Sequence, residues 1–256
     1  MEKQPRCSVV MTVYNAEKYL RKTIESVLGQ TMKDFELIIV NDCSTDSSED
    51  IIKEYLVDKR IKYFKNAENL KVSRTRNFGI SKVKAKYVAF IDSDDIWFEE
   101  KLEKQLDFME RVGARMCYSG QRFISDDGVL QNKVYRVPAK VSFKKLLKQN
   151  VLTPSASIIE TELLKKYPFY ADATHEDFVT FLKMMKGENI YAYGYTEPLI
   201  YYRLTKNSKS RDKKKAMKMT LETYKEVGLN AFQRLYYLPF YILNGIKKYK
   251  GMKDEK

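Results

Sequence analysis

Hydrophobic positions in the first hundred residues alternate between two spacings. Short unbroken apolar runs, rich in β-branched side chains, occupy 8–13, 35–40, 61–64 and 87–91. Strands buried on both faces of a parallel sheet require runs of this kind. Between them apolar side chains recur every three or four residues, as at Tyr19, Leu20, Ile24, Val27 and Leu28. This predicts helices over 16–28, 47–56, 72–81 and 101–112. Gly29 suits the end of the first helix, and the Ser/Thr/Asp cluster at 44–48 suits the start of the second. Strand–helix alternation at these intervals implies right-handed βαβ units. The expected fold class is therefore α/β, with a mainly parallel central sheet flanked by helices.

Beyond residue 112 the rhythm changes. A strand is expected at 116–120, and Asp127-Gly128 signals a turn between two strands of a hairpin. Helical spacing returns at 142–148, 161–167 and 177–186, and strands are expected at 190–195 and 199–202. From Ser208 the pattern is basic and helical, with a break predicted at Pro239. Neither an internal repeat nor a low-complexity linker interrupts the chain. The sequence divides into one domain over 1–207, with halves at 1–112 and 113–207, and a helical extension over 208–256.

Composition narrows the picture. In 256 residues, 44% are hydrophobic and 32% charged, which supplies a core and excludes a wholly disordered chain. The three cysteines, Cys7, Cys43 and Cys117, show no paired spacing, so a disulfide framework or zinc ribbon is not expected and a reducing compartment is. The charged N-terminus precedes no long apolar stretch, so no signal peptide is expected. Of the net charge of +13, ten units lie from Arg203 onward. A basic excess suits nucleic acid, an anionic membrane surface or a phosphorylated ligand. Confined to one end, it belongs to the extension. The chain has no RNP-like or zinc-finger pattern, so nucleic acid is not an expected partner. No apolar run reaches the roughly 18 to 20 residues of a membrane span; the nearest, 235–246, is shorter and contains Pro239.

In an open α/β sheet, ligands bind beyond the carboxyl ends of the strands. Three polar clusters stand at such ends: Thr12-Val-Tyr-Asn15, Asn41-Asp-Cys-Ser-Thr-Asp46 and Asp92-Ser-Asp-Asp95. Carboxylates gathered in one crevice repel, so they need a cation or raised pKa values. Hard oxygen donors suit Mg²⁺ or Mn²⁺, which commonly bridge to phosphate oxygens. An acidic turn alone is as often merely solvated, and helix capping explains Asp46 better than ligation does. Three clusters at successive strand ends carry the signal. His175 is the only histidine, which excludes a multi-histidine metal centre.

Ser8-Val-Val-Met-Thr-Val-Tyr-Asn15, Ile24-Glu-Ser-Val-Leu-Gly-Gln-Thr31, Phe35-Glu-Leu-Ile-Ile-Val-Asn-Asp-Cys-Ser-Thr-Asp46, Arg76-Asn-Phe-Gly-Ile80 and Phe90-Ile-Asp-Ser-Asp-Asp95 occur in the order seen in family 2 glycosyltransferases. The resemblance is dense from about Ser8 to Leu106, with a later match at His175-Glu-Asp177. It implies the GT-A fold, a nucleotide-sugar half at 1–112 and an acceptor half at 113–207. By the same resemblance Thr12, Tyr14, Asn15, Asp42, Arg76, Asp92 and Ser93 would hold the nucleotide-sugar, with the Tyr14 ring beside the base and Asp42 accepting from uracil. Asp94 and Asp92 would hold Mn²⁺ or Mg²⁺, with Asp94 the direct ligand and Asp92 nearer the ribose. Asp177 would be the base, with Glu176 the alternative. The simpler role for that pair is electrostatic, since acidic residues favour a helix N-terminus.

The implied reaction is inverting transfer from a UDP-sugar to an acceptor hydroxyl in surface polysaccharide, wall polymer or glycoconjugate synthesis. The alternative is a GDP- or dTDP-sugar with a polyprenyl-phosphate acceptor. The expected location is cytoplasmic, with the extension resting on the anionic cytoplasmic face of the membrane or pairing with a second copy. Four departures from the family pattern stand near the site, one of them Asn41-Asp42 in place of a frequent Asp-Asp. Thr12 replaces a common proline, Cys43 replaces a frequent glycine, and Thr205 stands where many relatives carry histidine. Arg203, Lys206 or Lys209 would then have to meet the phosphate charge.

Overall fold

The structure is a computed structural model and describes residues 4–170, 175–205, 213–250 and 253–254. The expected alternation is present in β1 (Cys7–Val13), α1 (Leu20–Leu28), β2 (Phe35–Asn41), α2 (Ser48–Glu54), β3 (Ile61–Lys65), α3 (Lys71–Ser81) and β4 (Tyr87–Asp92). There follow β5 (Ile96–Trp97), α4 (Lys101–Val112), β6 (Met116–Ser125), β7 (Leu130–Tyr135), β8 (Lys140–Val141) and α5 (Phe143–Lys148). A short 3₁₀ turn (Pro154–Ala156), β9 (Ser157–Glu160), α6 (Thr161–Lys166), α7 (Glu176–Gly187) and β10 (Ala192–Leu204) come next. The extension forms α8 (Lys213–Glu226), α9 (Ala231–Lys250) and β11 (Lys253–Asp254).

The sheet runs β11-β7-β6-β9-β4-β1-β2-β3, and β10 pairs with β5, β6 and β8. Strands β4, β1, β2 and β3 are parallel, with Thr12 opposite Val40 on one side and Asp92 on the other. Their side chains alternate between two cores. Val10, Ile38, Val40, Val88 and Phe90 face α3, α6 and α7, while Val9, Met11, Leu37, Ile39 and Ile91 face α1 and α4. Both faces are covered, which is why these strands read as unbroken apolar runs.

Gly79 sets the spacing of α3. A Cβ there would lie 2.7 Å from Cγ1 of Val10, so only glycine lets α3 lie this close to β1. That approach brings the start of α3 up to the strand ends.

Several expectations shift. Helix α1 starts at Leu20 rather than 16, because Asn15 has φ 47° and residues 16–19 form a turn. Strand β9 was not anticipated; it runs antiparallel between β4 and β6. The two strands expected at 190–195 and 199–202 are one strand, β10, whose register against β6 slips around Pro198. The predicted break at Pro239 is absent, and α9 continues through it. Proline removes one helical hydrogen bond and crowds the carbonyl four residues earlier. That residue, Leu235, is 74% exposed, so its carbonyl can turn to water. The extension also enters the core. Tyr224, Val227 and Leu229 are buried within it, and Tyr237, Leu238 and Tyr241 pack against it. The division expected between 207 and 208 lies outside the described residues, as do Lys206 and Lys209.

Candidate active site

The ends of β1, β2 and β4 present the three polar clusters side by side. After β1, Tyr14 is 50% exposed, with its ring free of the core. Asn15 serves the loops: its Oδ1 accepts from Thr45 N at 2.8 Å, and its own N–H donates to Ser44 Oγ. Its left-handed backbone is one that asparagine tolerates.

After β2, Asp42 is 3% exposed and already engaged. Its Oδ1 accepts from Asn66 Nδ2 at 2.7 Å and Leu70 N at 2.8 Å, and its Oδ2 from Lys71 N at 3.0 Å. It closes the start of α3. A carboxylate offers about four lone-pair positions, so one remains for a ligand. Cys43 has φ 62°, in the left-handed region that glycine enters without strain, which accounts for glycine being frequent there in the resembling family. Asp46 stands one residue before the N-cap Ser47 and accepts from Ser48 N and Glu17 N, both at 3.0 Å, so it braces the helix start and the neighbouring loop.

After β4, the acidic residues divide into two kinds. Asp95 is 1% exposed and structural: its Oδ1 accepts from Arg203 N, and its carbonyl accepts from Thr23 Oγ1. Burial, with Asp94 and Asp92 nearby, raises its pKa well above the carboxylate range. Asp92 and Asp94 are only half-buried, at the end of β4. Burial and the neighbouring charge of Asp92 push Asp94 up to about 6. Ser93 contributes its carbonyl to Thr23 Oγ1 at 3.0 Å. Sequence reasoning missed Ser155, whose Oγ accepts from Asp92 N at 3.0 Å and whose carbonyl accepts from Trp97 Nε1. A lone serine after Pro154 gives no signal of that role.

The second carboxylate pair opens α7. Phe178 N donates to Asp177 Oδ1 at 2.7 Å, so Asp177 also serves the first turn of α7, where acidic residues favour the helix N-terminus. Its pKa is nevertheless raised, to about 6, by burial first and by Glu176 second, against the lowering pull of Arg76 and His175. His175 meets α8 through Nε2 and the Ala216 carbonyl at 3.3 Å. It is a neighbour of the pair.

Arg76 joins the two acidic groups. Its guanidinium is buried above the Phe169 ring, bonds Asp92 Oδ1 at 2.5 Å, and stands 3.9 Å from Glu176 Oε1. Burial opposes its charge, but Asp92, Glu176 and Asp177 hold its pKa above the ordinary arginine value. Its Nη1 makes no hydrogen bond. Arg203 takes a different place from the phosphate contact expected of it. Its side chain donates to the carbonyls of Asp94, Ser125 and Asp126, with Tyr19 beneath the guanidinium. It locks the acidic turn to the β6–β7 hairpin.

The described residues contain no group of three or more His, Cys, Asp or Glu side chains placed to hold a metal ion. Two carboxylates, one with a raised pKa, fit Mg²⁺ or Mn²⁺ completed by phosphate oxygens and water, since neither ion needs an all-protein cage. Chemically the strand ends offer an exposed aromatic ring, a pair of half-buried carboxylates and, beyond Arg76, a carboxylate of raised proton affinity.

Comparison with known proteins follows the same lines. Residues 8–167 match Glycosyl transferase family 2. The putative teichuronic acid biosynthesis glycosyltransferase TuaG of Bacillus subtilis is 34% identical over 247 residues, covering 96% of this chain and 98% of that one. The UDP-Glc:alpha-D-GlcNAc-diphosphoundecaprenol beta-1,3-glucosyltransferase WfgD of Escherichia coli is 32% identical, with 94% of each chain covered. In fold, the chain resembles S. aureus TarS, solved with UDP-GlcNAc, at a TM-score of 0.70 and 22% identity over 94% of this chain and 75% of that one. It also resembles the mannosyltransferase PcManGT of Pyrobaculum calidifontis, solved with GDP-Man and Mn²⁺, at a TM-score of 0.68 and 13% identity over 93% of this chain and 69% of that one.

Proposed function

The chain belongs to glycosyl transferase family 2 and is a glycosyltransferase with a GT-A type α/β fold; from that premise we propose that it transfers a sugar from UDP to a hydroxyl of a lipid-linked acceptor, with inversion. The observation that carries this reading is Arg76. Its Nη2 bonds Asp92 and its Nη1 stands 3.9 Å from Glu176, so one buried guanidinium links the Asp92/Asp94 turn to the Glu176/Asp177 pair. One carboxylate group thus serves the leaving diphosphate and the other the incoming hydroxyl.

Tyr14, Thr12, Asn15 and Ser93 line the nucleotide-sugar, with the Tyr14 ring against the base and the remaining lone pair of Asp42 toward the uracil N–H. Asp94, with Asp92, would hold Mn²⁺ or Mg²⁺, and Arg76 holds Asp92 through its guanidinium. When bound, the cation offsets charge that builds on the departing diphosphate. Asp177 takes the proton from the acceptor hydroxyl as that oxygen bonds to the anomeric carbon and the bond from that carbon to the UDP oxygen breaks. A proton affinity near neutrality suits this task, because the group is charged at working pH and still a competent base. The name of the Escherichia coli relative supports UDP as donor and a diphosphate-linked lipid as acceptor. The name of the Bacillus subtilis relative supports a place in surface-polymer synthesis. A lipid-linked acceptor sets the enzyme to work at the cytoplasmic leaflet, as a peripheral protein.

Titration calorimetry with UDP, GDP and dTDP, each with and without Mn²⁺, tests the donor. UDP should bind most tightly, and Mn²⁺ should strengthen its binding. Preference for GDP, or affinity that Mn²⁺ leaves unchanged, overturns the assignment.

A further inference from the structure

Helix α9 is apolar on both sides. Its inner side, Tyr237, Leu238 and Tyr241, packs on the core, with Tyr241 stacked on Phe178 at 5.7 Å. Its outer side carries Phe232, Leu235, Tyr236, Pro239, Phe240, Leu243 and Ile246, spaced three or four residues apart. That spacing puts them on one stripe running the length of the helix. Phe232 is 88% exposed, Leu235 74% and Leu243 55%. A helix that is apolar all round is normally buried, and a continuous outer stripe of this size marks a contact surface.

The charges beside the stripe identify the occupant. Lys148 of α5 lies over the Tyr236 and Phe240 rings, and its carbonyl accepts from Asn244 Nδ2, joining α5 to α9. Lys144 and Lys145 are exposed on α5, and Lys247 is exposed at the end of the stripe. Neither helix contains an Asp or Glu. No helix among the described residues is long and apolar enough to cross a bilayer. An apolar, aromatic stripe with lysines at its border is the form of a helix lying in a membrane interface.

We propose that α9 and α5 form a docking face for an anionic lipid bilayer. The side chains of the stripe enter the headgroup boundary, and Lys144, Lys145, Lys148 and Lys247 meet lipid phosphate. The Tyr241–Phe178 stack ties this face to the first turn of α7, one residue from Asp177, and so fixes the base relative to the membrane. The proposal adds a surface to the functional reading above and rests on it only for the lipid-linked acceptor.

Vesicle flotation of the full chain tests it. Vesicles of phosphatidylcholine alone are compared with vesicles holding about a third phosphatidylglycerol. The protein should float with the anionic vesicles and far less with the neutral ones. Leu235→Glu with Leu243→Glu, or Phe232→Ser with Leu235→Ser as a milder pair, should lower the partition coefficient roughly tenfold or more, with the helical circular dichroism unchanged. Each of Lys144→Gln, Lys145→Gln and Lys247→Gln should lower it about fivefold. Absence of flotation overturns the proposal, as does equal flotation of the Glu variants or indifference to lipid charge. Conversion of a dimer to a monomer by the same substitutions, without vesicle binding, assigns the face to a second copy instead. UDP binding measured without vesicles should be unchanged in every variant, so failure here is distinct from failure of the donor reading.

Discussion

Arg76 decides how the carboxylates of the crevice share their charge. A buried guanidinium between two acidic groups stabilises both, yet its two partners differ in closeness: Asp92 is hydrogen-bonded and Glu176 stands 3.9 Å away. Asp177 is raised to about 6 and titrates near neutrality. Asp177→Asn should lower turnover by roughly 10² to 10⁴ and leave UDP affinity nearly unchanged, because the base acts only as the hydroxyl attacks. The wild-type rate should fall as pH drops below about 6, where Asp177 gains its proton, and the residual rate of Asp177→Asn should lack that limb. Steady-state kinetics against pH checks this. A severe Glu176→Gln beside a mild Asp177→Asn would exchange the two roles. Residue types at the strand ends were legible in the sequence, but their prior engagements were not. Asp42 satisfies three donors, Asn15 staples two loops and Arg203 binds three carbonyls. Those contacts depend on which loops meet in space.

Elements were legible where local pattern and tertiary packing agree. Helix α4 spans Lys101–Val112 as expected and ends on Gly113 at φ 63°, because the periodicity and the left-handed cap both lie in the local sequence. Strand β9 escaped because its four residues are recognisable only once β4 and β6 stand on either side of it. Helix α9 passes through Pro239 because the crowded side faces solvent, an orientation no local pattern reveals. Helix α3 shows how one residue positions a site. Gly79→Ala pushes a methyl into Val10 and must lift α3 from β1. Overpacking of this kind costs about 1–3 kcal/mol, and the lift moves Arg76 and the Leu70 and Lys71 N–H groups away from their carboxylates. Urea unfolding should show the loss of stability, and UDP affinity should fall with it. A Gly79→Ala protein with unchanged stability and affinity would contradict the close approach.

Across the whole molecule, charge is arranged by depth as well as by sequence. Lys101 is fully buried among Trp97, Gln105, Cys7 and Cys117, and burial pulls its pKa down to about 7. The unfolded chain keeps that proton up to the ordinary lysine value of 10.5, so the folded state binds fewer protons between pH 7 and 10.5. Stability therefore rises with pH across that window, and the cost of burying the charge is complete below pH 7. From pH 7 to about 8, before unfolded cysteines ionise appreciably, the slope from this group approaches about 1.4 kcal/mol per pH unit. Lys101→Met should remove the slope and stabilise the protein at pH 7, as read from urea midpoints at several pH values; an unchanged slope would mean that another group sets it. Inversion requires a single displacement at the anomeric carbon, with Arg76 linking the acidic turn to the Glu176/Asp177 pair. Proton NMR of the sugar first released from an α-linked UDP-sugar, recorded with Mn²⁺ before mutarotation, tests it most directly. A single displacement releases the β anomer; release of the α anomer would rule it out.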